Sequence, residues 1–257
     1  MNKIKISLLH LSPITGDLTH NKEMLLQSLK YCADIKSDWV ITPELWLTGY
    51  SFQKIIGTDW ITIQPDLWTT SICNLVKELN INLFLSLPEK DSLSGLFHNT
   101  IFVINRTGEI IGKYRKIKVL PQSEGWSTPG DIIETIDVDS TAVGIMVCAD
   151  AYRNKIADEY ASKGARLLIS PSAWGPGDCA PNGEWEQRSL ETGMPVIVCN
   201  RTGTDLGNID WTGSESVVAC KGKRLLTGIS GTSTVFSFNM DLNTNEILSK
   251  QFEKHLI

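Results

Sequence analysis

Short apolar runs alternate with amphipathic stretches along most of the chain. Runs of strand length that are apolar at nearly every position predict strands buried on both faces, and a 3.6-residue spacing of apolar positions predicts helices. The predicted strands are Lys3–His10, Trp39–Thr42, Asn82–Leu87, Phe97–Asn105, Glu109–Ile117, Ala142–Cys148, Arg166–Ser170 and Met194–Asn200, with further runs near Ser216–Cys220, Arg224–Gly228 and Ser233–Phe238. The predicted helices are Asn21–Ala33, Asp66–Leu79, Lys155–Lys163 and Glu184–Thr192. This order indicates a mixed sheet with helices on its outer faces, and two sheets packed face to face would explain the apolar strands.

No linker, internal repeat or low-complexity segment divides the sequence. Its 257 residues would suffice for two average domains or one large α/β domain. We predict a single domain over residues 1–257, with a core of about 3–238 and a tail, 239–257, that shows no strong period.

Composition and charge exclude several classes of function. With 42% hydrophobic and 21% charged residues the chain is typical of a globular protein, and its net charge of −5 argues against nucleic acid as the main partner. No apolar run approaches the length of a membrane span, so no membrane is expected as a partner. The six cysteines are far apart, without zinc-site or disulfide spacing, which predicts a reducing, cytoplasmic location.

One strand is predicted to end at a reactive side chain. The apolar run that begins at Val143 stops at Cys148, and polar residues follow immediately. Because ligands in open α/β sheets bind beyond the carboxyl ends of the strands, this thiol is placed where a nucleophile could lie. Taken alone, a cysteine in such a run is more often a buried structural thiol.

Two other predicted strands lead in the same way to a glutamate, Glu44, and a lysine, Lys116. Converging on one cleft with Cys148, Glu44 would serve as the general base and Lys116 would lower the pKa of the thiol from about 8.5. Lys116 and the backbone N–H of Ala149 would stabilise an oxyanion. Taken alone, Glu44 and Lys116 would each be read as an ordinary surface residue.

The chain resembles the nitrilase, or carbon–nitrogen hydrolase, superfamily from Ile4 to about Phe238. The motifs that carry the resemblance are Pro43–Tyr50, Gly112–Lys116, Gly144–Asp150 and Asn200–Gly203, in the order and at the spacing of the family. The resemblance implies a four-layer α-β-β-α sandwich, a Glu–Lys–Cys triad at Glu44, Lys116 and Cys148, and hydrolysis through a thioester. It also implies a second glutamate at Glu124, no metal or organic cofactor, and a homo-oligomer, a dimer or higher.

Around the nucleophile the sequence suggests several substrate-binding residues. Ala149 stands where many members of the family have a bulky aromatic residue, and Asp150 either contacts the substrate or caps the following helix. The remaining candidates for the pocket wall are Tyr50, Trp126, Ser172 and Trp174, each of which could instead be a packing residue.

From these features we predict a cytoplasmic amidohydrolase. Its partner would be a small amide: a linear, non-peptide carboxamide cleaved to a carboxylic acid and ammonia or an amine. An N-carbamoyl amine or amino acid is the alternative substrate. A nitrile is a third, disfavoured by Asp150, because nitrilases tend to carry a Trp-Glu pair where this chain has Ala149-Asp150. The different-class alternative is a catalytically idle relative that acts as a binding partner.

Overall fold

The computed structural model describes residues 2–177, 180–206 and 209–257. The strands are β1 (Lys3–His10), β2 (Trp39–Ile41), β3 (Asn82–Lys90), β4 (Phe97–Ile104), β5 (Ile110–Arg115), β6 (Ile136–Val138), β7 (Thr141–Ile145), β8 (Leu167–Ser172), β9 (Val196–Asn200), β10 (Thr204–Asp205), β11 (Ile209–Asp210), β12 (Glu215–Cys220), β13 (Lys223–Ile229), β14 (Thr234–Asp241), β15 (Glu246–Ile247) and β16 (Glu253–Leu256). The helices are α1 (Leu18–Asp34), α2 (Gln53–Ile56), α3 (Leu67–Leu79), α4 (Pro121–Glu124), α5 (Asn154–Ser162) and α6 (Glu184–Thr192), with one 3₁₀ helix, Cys148–Tyr152.

The strands form two large mixed sheets. The first has the order β15-β14-β1-β2-β3-β4-β5, with β16 also paired to β14, and the second has the order β13-β12-β9-β8-β7-β6. Both have a parallel centre, β1-β2-β3 in one and β7-β8-β9 in the other, continued by antiparallel strands. Such mixed sheets arise when crossover helices give way to hairpins along the chain.

Apolar side chains fill the space between the sheets and the space under the helices. Leu8 and Phe84 of the first sheet share one buried cluster with Ile145 and Ile169 of the second. Helices α1 and α3 cover the outer face of the first sheet with Leu25, Leu29, Ile72 and Val76. Ile156, Ala157 and Tyr160 of α5 join the cluster of the second sheet. The layers are therefore α-β-β-α, which confirms the predicted fold class.

The predicted tail, residues 239–257, contains regular structure although its sequence shows no strong period. Strand β14 continues to Asp241, and β16 pairs with it antiparallel, from Ser237 opposite Glu253 to Thr234 opposite Leu256. Because β16 lies at the sheet edge and is mostly exposed, it has no apolar alternation that a sequence pattern could reveal.

The topology brings two of the three side chains of the predicted triad to the same sheet edge. Strand β3 is parallel to β2, β4 is antiparallel to β3, and β5 is antiparallel to β4. Strands β2 and β5 therefore run in the same direction, and Glu44 and Lys116, which follow their carboxyl ends, meet. Cys148 follows β7 of the facing sheet.

Gly144 in β7 allows α5 to lie close to the strand that leads to Cys148. A Cβ atom added there would lie 2.6 Å from Leu168 Cδ2 and 2.7 Å from Tyr160 Cγ. We expect Gly144→Ala to lower the free energy of unfolding by about 1–3 kcal/mol through overpacking, measured by urea denaturation. Gly231→Ala is the matched control, since its added Cβ would approach no atom closer than 3.8 Å. Equal effects of the two substitutions would contradict this account.

Candidate active site

Cys148 lies just beyond β7, at the start of a strained turn. The strand ends at Ile145, three residues earlier than predicted, and Cys148 begins the 3₁₀ helix with a φ of 49°. A left-handed conformation is unfavourable for a residue with a side chain and is typical of functional sites. The residue is 4% exposed, and it borders a pocket.

Asp150 holds this turn in place. Its Oδ2 accepts hydrogen bonds from Val147 N (2.9 Å) and the Tyr114 hydroxyl (2.8 Å), and its Oδ1 accepts one from Lys118 N (2.6 Å). The side chain is fully buried, and burial raises its pKa even though these donors lower it. Asp150 does not border the pocket, and it does not cap α5, whose N-cap residue is Arg153. Its carboxylate instead holds the start of the 3₁₀ helix through Val147 N.

A buried lysine lies between two buried carboxylates. Lys116 Nζ is 2.6 Å from Glu44 Oε1, and 2.8 and 2.7 Å from the two carboxylate oxygens of Glu124. All three side chains are inaccessible to solvent. The structure thus brings together three of the four side chains predicted to be catalytic, and their electrostatic influence reaches the fourth, Cys148.

Backbone and amide donors complete the carboxylate environment. Asn99 Nδ2 donates to Glu44 Oε1 (2.8 Å) and to Glu124 Oε1 (3.1 Å), so one amide group bridges both acids. Ala173 N donates to Glu44 Oε2 (3.0 Å), and a hydrogen bond from the same backbone group lowers the pKa of Cys148. No sequence motif indicated a role for Asn99.

The charges around Cys148 keep its thiol protonated. Burial raises its pKa well above the ordinary thiol value, Glu44 and Glu124 raise it further, and Lys116 lowers it by less. Lys116 lowers the pKa of this thiol, in the predicted direction, but burial and the two carboxylates together raise it by more, so the net change is upward.

The same cluster sets the protonation states of its own members. Burial opposes the charge of Lys116, but Glu44 and Glu124 more than compensate, so its pKa lies well above the ordinary lysine value. Burial and the neighbouring Glu44 raise the pKa of Glu124. Lys116 therefore stays an ammonium group. A further anion beside the two carboxylates is disfavoured.

Cys148 borders a cavity of about 570 Å³, a size ordinary for small-molecule sites. Three predicted pocket residues, Tyr50, Ala149 and Trp174, line it. The other lining residues are Leu120, Tyr152, Ala173, Gly175, Pro176, Gly177, Ile209, Asp210 and Trp211. Most of these residues could not be predicted from the sequence, because they lie in loops or in very short elements whose sequence has no periodic pattern.

Trp126 and Ser172 are not among the lining residues. The ring of Trp126 packs against Phe52 at a centroid distance of 5.0 Å, in a cluster that supports the pocket from behind. Ser172 is buried at the end of β8, with its hydroxyl 3.4 Å from that of Ser170. Their positions match the alternative of packing residues.

A second buried ion pair stands behind the pocket wall. Arg201 Nη1 is 2.9 Å from Asp205 Oδ2, and both side chains are inaccessible. Asp205 Oδ2 also accepts from Tyr50 N (2.7 Å), and the Arg201 guanidinium lies 4.2 Å from the ring centroid of Trp211. One carboxylate therefore fixes two aromatic residues of the pocket. The motif Asn200–Gly203 pointed to Arg201, but nothing in the sequence pointed to Asp205.

Neither a cluster of metal-binding side chains nor a membrane-spanning helix is found in the described part of the chain. Among residues 2–177, 180–206 and 209–257, no group of three or more His, Cys, Asp or Glu side chains is arranged to hold a metal ion. No helix within these ranges has both the length and the apolar character that a bilayer crossing requires.

Comparison with known proteins identifies the class to which this fold and site belong. The model of the carbon–nitrogen hydrolase family matches residues 5–246, and the chain therefore belongs to that family. It is 27% identical to omega-amidase NIT2-B of Xenopus laevis over 262 residues, covering 94% of this chain and 90% of the relative.

Solved structures show the same fold. Nit3 of Saccharomyces cerevisiae, a member of branch 10 of the nitrilase superfamily, superposes with a TM-score of 0.82 at 23% identity, covering 94% of this chain and 91% of that one. A variant of an amidase from Nesterenkonia sp. AN1 has a TM-score of 0.80 at 19% identity, covering 93% and 91%. That structure shows the acetamide moiety of fluoroacetamide covalently added to its active-site cysteine.

Replacing Asn99 tests whether the amide bridge matters for catalysis. We expect Asn99→Leu to lower kcat by roughly 10–100-fold, because both carboxylates lose a buried donor. The measurement is ammonia release from an accepted amide. Thr100→Val is the control, since the Thr100 hydroxyl donates to Glu89 and not to the cluster. A kcat of Asn99→Leu equal to that of the control would contradict the assigned role.

Replacing Asp205 tests the ion pair behind the pocket wall. Asp205→Asn leaves the charge of Arg201 buried without a counter-ion, and we expect the free energy of unfolding to fall by about 3–5 kcal/mol. The more exposed pair of Lys163 and Glu134 supplies the control, in which Glu134→Gln should cost about 1 kcal/mol or less. Urea denaturation measures both, and a small loss in Asp205→Asn would show that the pair is not a stabilising element.

Proposed function

We propose that this carbon–nitrogen hydrolase is a cysteine-dependent amidase. It cleaves linear, non-peptide carboxamides to a carboxylic acid and ammonia or an amine through a thioester on Cys148. The observation that carries the proposal is a nearly buried thiol at the wall of a pocket, under the influence of a carboxylate–lysine–carboxylate cluster. The other proposed catalytic residues are Glu44 and Lys116, and Glu124 is proposed as the residue that positions Lys116.

Acylation begins with transfer of the thiol proton. Glu44 takes the proton of Cys148 as the sulphur attacks the carbonyl carbon, so the cluster never holds an additional anion. The carbonyl oxygen becomes an oxyanion, which the Lys116 ammonium and the backbone N–H of Ala149 stabilise. The C–N bond then breaks, Glu44 returns its proton to the departing amine, and the acyl group remains on the sulphur.

Deacylation uses the same groups in reverse order. Glu44 takes a proton from water, and the resulting hydroxide attacks the thioester carbon. The C–S bond breaks, the sulphur recovers the proton from Glu44, and the carboxylic acid leaves. Glu124 touches no reacting atom in this scheme. It positions Lys116, which it contacts with both carboxylate oxygens.

The high pKa of Cys148 supports this division of roles. A thiol that is neutral at rest needs a base in contact with the reacting groups, and Glu44 is a carboxylate to which Asn99 and Ala173 donate. Lys116, held as an ammonium group by two carboxylates, is suited to stabilising charge that develops on the substrate.

We also propose a homo-oligomer, a dimer or higher, in a reducing cytoplasmic compartment. The compartment follows from the cysteines: Cys32, Cys73, Cys148, Cys199 and Cys220 are all unpaired thiols. The oligomer follows from the resemblance to the family, and sedimentation velocity of the purified protein measures it.

Intact-protein mass spectrometry with parallel ammonia detection tests the reaction. Wild-type protein is mixed with small carboxamides, N-carbamoyl amino acids and nitriles. We expect an acyl adduct and ammonia with carboxamides, neither in Cys148→Ala, and at least a 10²-fold slower reaction in Glu44→Gln, which lacks the base. Cys220→Ala is the control for labelling of another thiol, since Cys220 is the most accessible of the described cysteines.

The acyl mass decides between substrate classes. An adduct formed only with N-carbamoyl compounds would replace the carboxamide proposal by its alternative. Absence of both adduct and ammonia with every compound of the panel would contradict the proposed amidase reaction.

A further inference from the structure

The described part of the pocket wall carries few charged side chains. Among the lining residues the structure describes, there is no lysine, arginine or histidine, and one carboxylate, Asp210. Beneath Cys148, two carboxylates share one ammonium group. Among the described lining residues, an anionic substrate would therefore meet no cationic side chain. Of the cations behind this wall, Lys116 already has two carboxylate partners, and Arg201, next to Trp211, is paired with Asp205.

Asp210 is held in place and ionised. It lies on β11, opposite Thr204 of β10, and the next residue donates from Trp211 N to Gly203 O at 2.7 Å. Its Oδ1 accepts from Thr212 N at 2.8 Å. Hydrogen bonds from Thr212 lower the pKa of this carboxyl group, so it carries its charge at neutral pH.

Four aromatic side chains also line the cavity, together with aliphatic residues and glycines. Tyr50, Tyr152, Trp174 and Trp211 all line it, with the rings of Tyr152 and Trp174 at 4.8 Å and those of Tyr50 and Trp211 at 5.6 Å. The faces of aromatic rings attract cations, and a carboxylate beside them adds a direct counter-charge. This combination is suited to an ammonium group on an aliphatic chain and unsuited to a carboxylate.

We propose that the pocket selects amides whose acyl group carries a positively charged amine, with Asp210 as the residue that recognises this charge. The inference rests on the proposed amidase reaction, because it assigns the acyl group that reaches Cys148. It makes Asp210 a specificity residue outside the catalytic cluster.

Three amides of nearly equal length test the proposal: δ-aminovaleramide, a cation; hexanamide, its neutral isostere; and the monoamide of adipic acid, an anion. We expect kcat/KM to fall in that order. Asp210→Asn should lower kcat/KM for the cation, through KM, about fivefold more than it changes kcat/KM for hexanamide. Asp158→Asn removes the same charge from the exposed face of α5 and serves as the control for overall charge.

A binding measurement makes the test independent of turnover. Chloroacetamide, a neutral electrophile, alkylates Cys148, and the non-hydrolysable amine pentylamine should slow this alkylation in wild type and less in Asp210→Asn. Hydrolysis of all three amides without preference for the cation, or an equal effect of Asp210→Asn on all three, would overturn the specificity proposal alone. Failure to hydrolyse any of them would overturn the proposed function, and pentylamine would then show whether the pocket still binds a cation.

Discussion

The site depends on a lysine buried between two carboxylates. Lys116 has no solvent contact, so its charge is tolerable only because Glu44 and Glu124 approach its Nζ within 2.8 Å. The positive charge of Lys116 is therefore already balanced by two carboxylates when no substrate is bound. Burial and these carboxylates raise the pKa of Cys148. In the reaction we propose, Cys148 is therefore a thiol at rest, and proton transfer to Glu44 activates it. The bridging amide of Asn99 donates to both carboxylates, and the strained turn places Cys148 at the pocket wall.

The fold explains why residues that are distant in sequence meet at this point. Glu44 and Lys116 follow strands that run in the same direction in one sheet, and Cys148 follows a parallel strand of the other. The shared core between the sheets fixes the distance between their edges. An error in the register of any of these strands would separate the base from the nucleophile, since one step along a strand turns side chains to the opposite face.

Much of this could be predicted from the sequence, because it depends on local patterns. Apolar runs indicated the central strands, and reactive side chains after three of them indicated the cleft. Edge strand β16, pocket residue Trp211 and supporting residue Asp205 could not be predicted in this way. Their roles come from contacts between distant segments, and their local sequence resembles that of any exposed loop. The pKa of Cys148 depends likewise on its burial and on three buried charges around it, which no single motif reveals.

The most direct test of this account is the protonation state of Cys148 in the resting enzyme. The ultraviolet absorbance of a thiolate, taken as the difference between wild type and Cys148→Ala, can be followed as pH is raised. Because burial and the two carboxylates raise the pKa of this thiol, the account predicts no thiolate signal at neutral pH and its appearance only above the ordinary range for cysteine. A thiolate signal already present at neutral pH would contradict it and would restore an ion pair between Cys148 and Lys116.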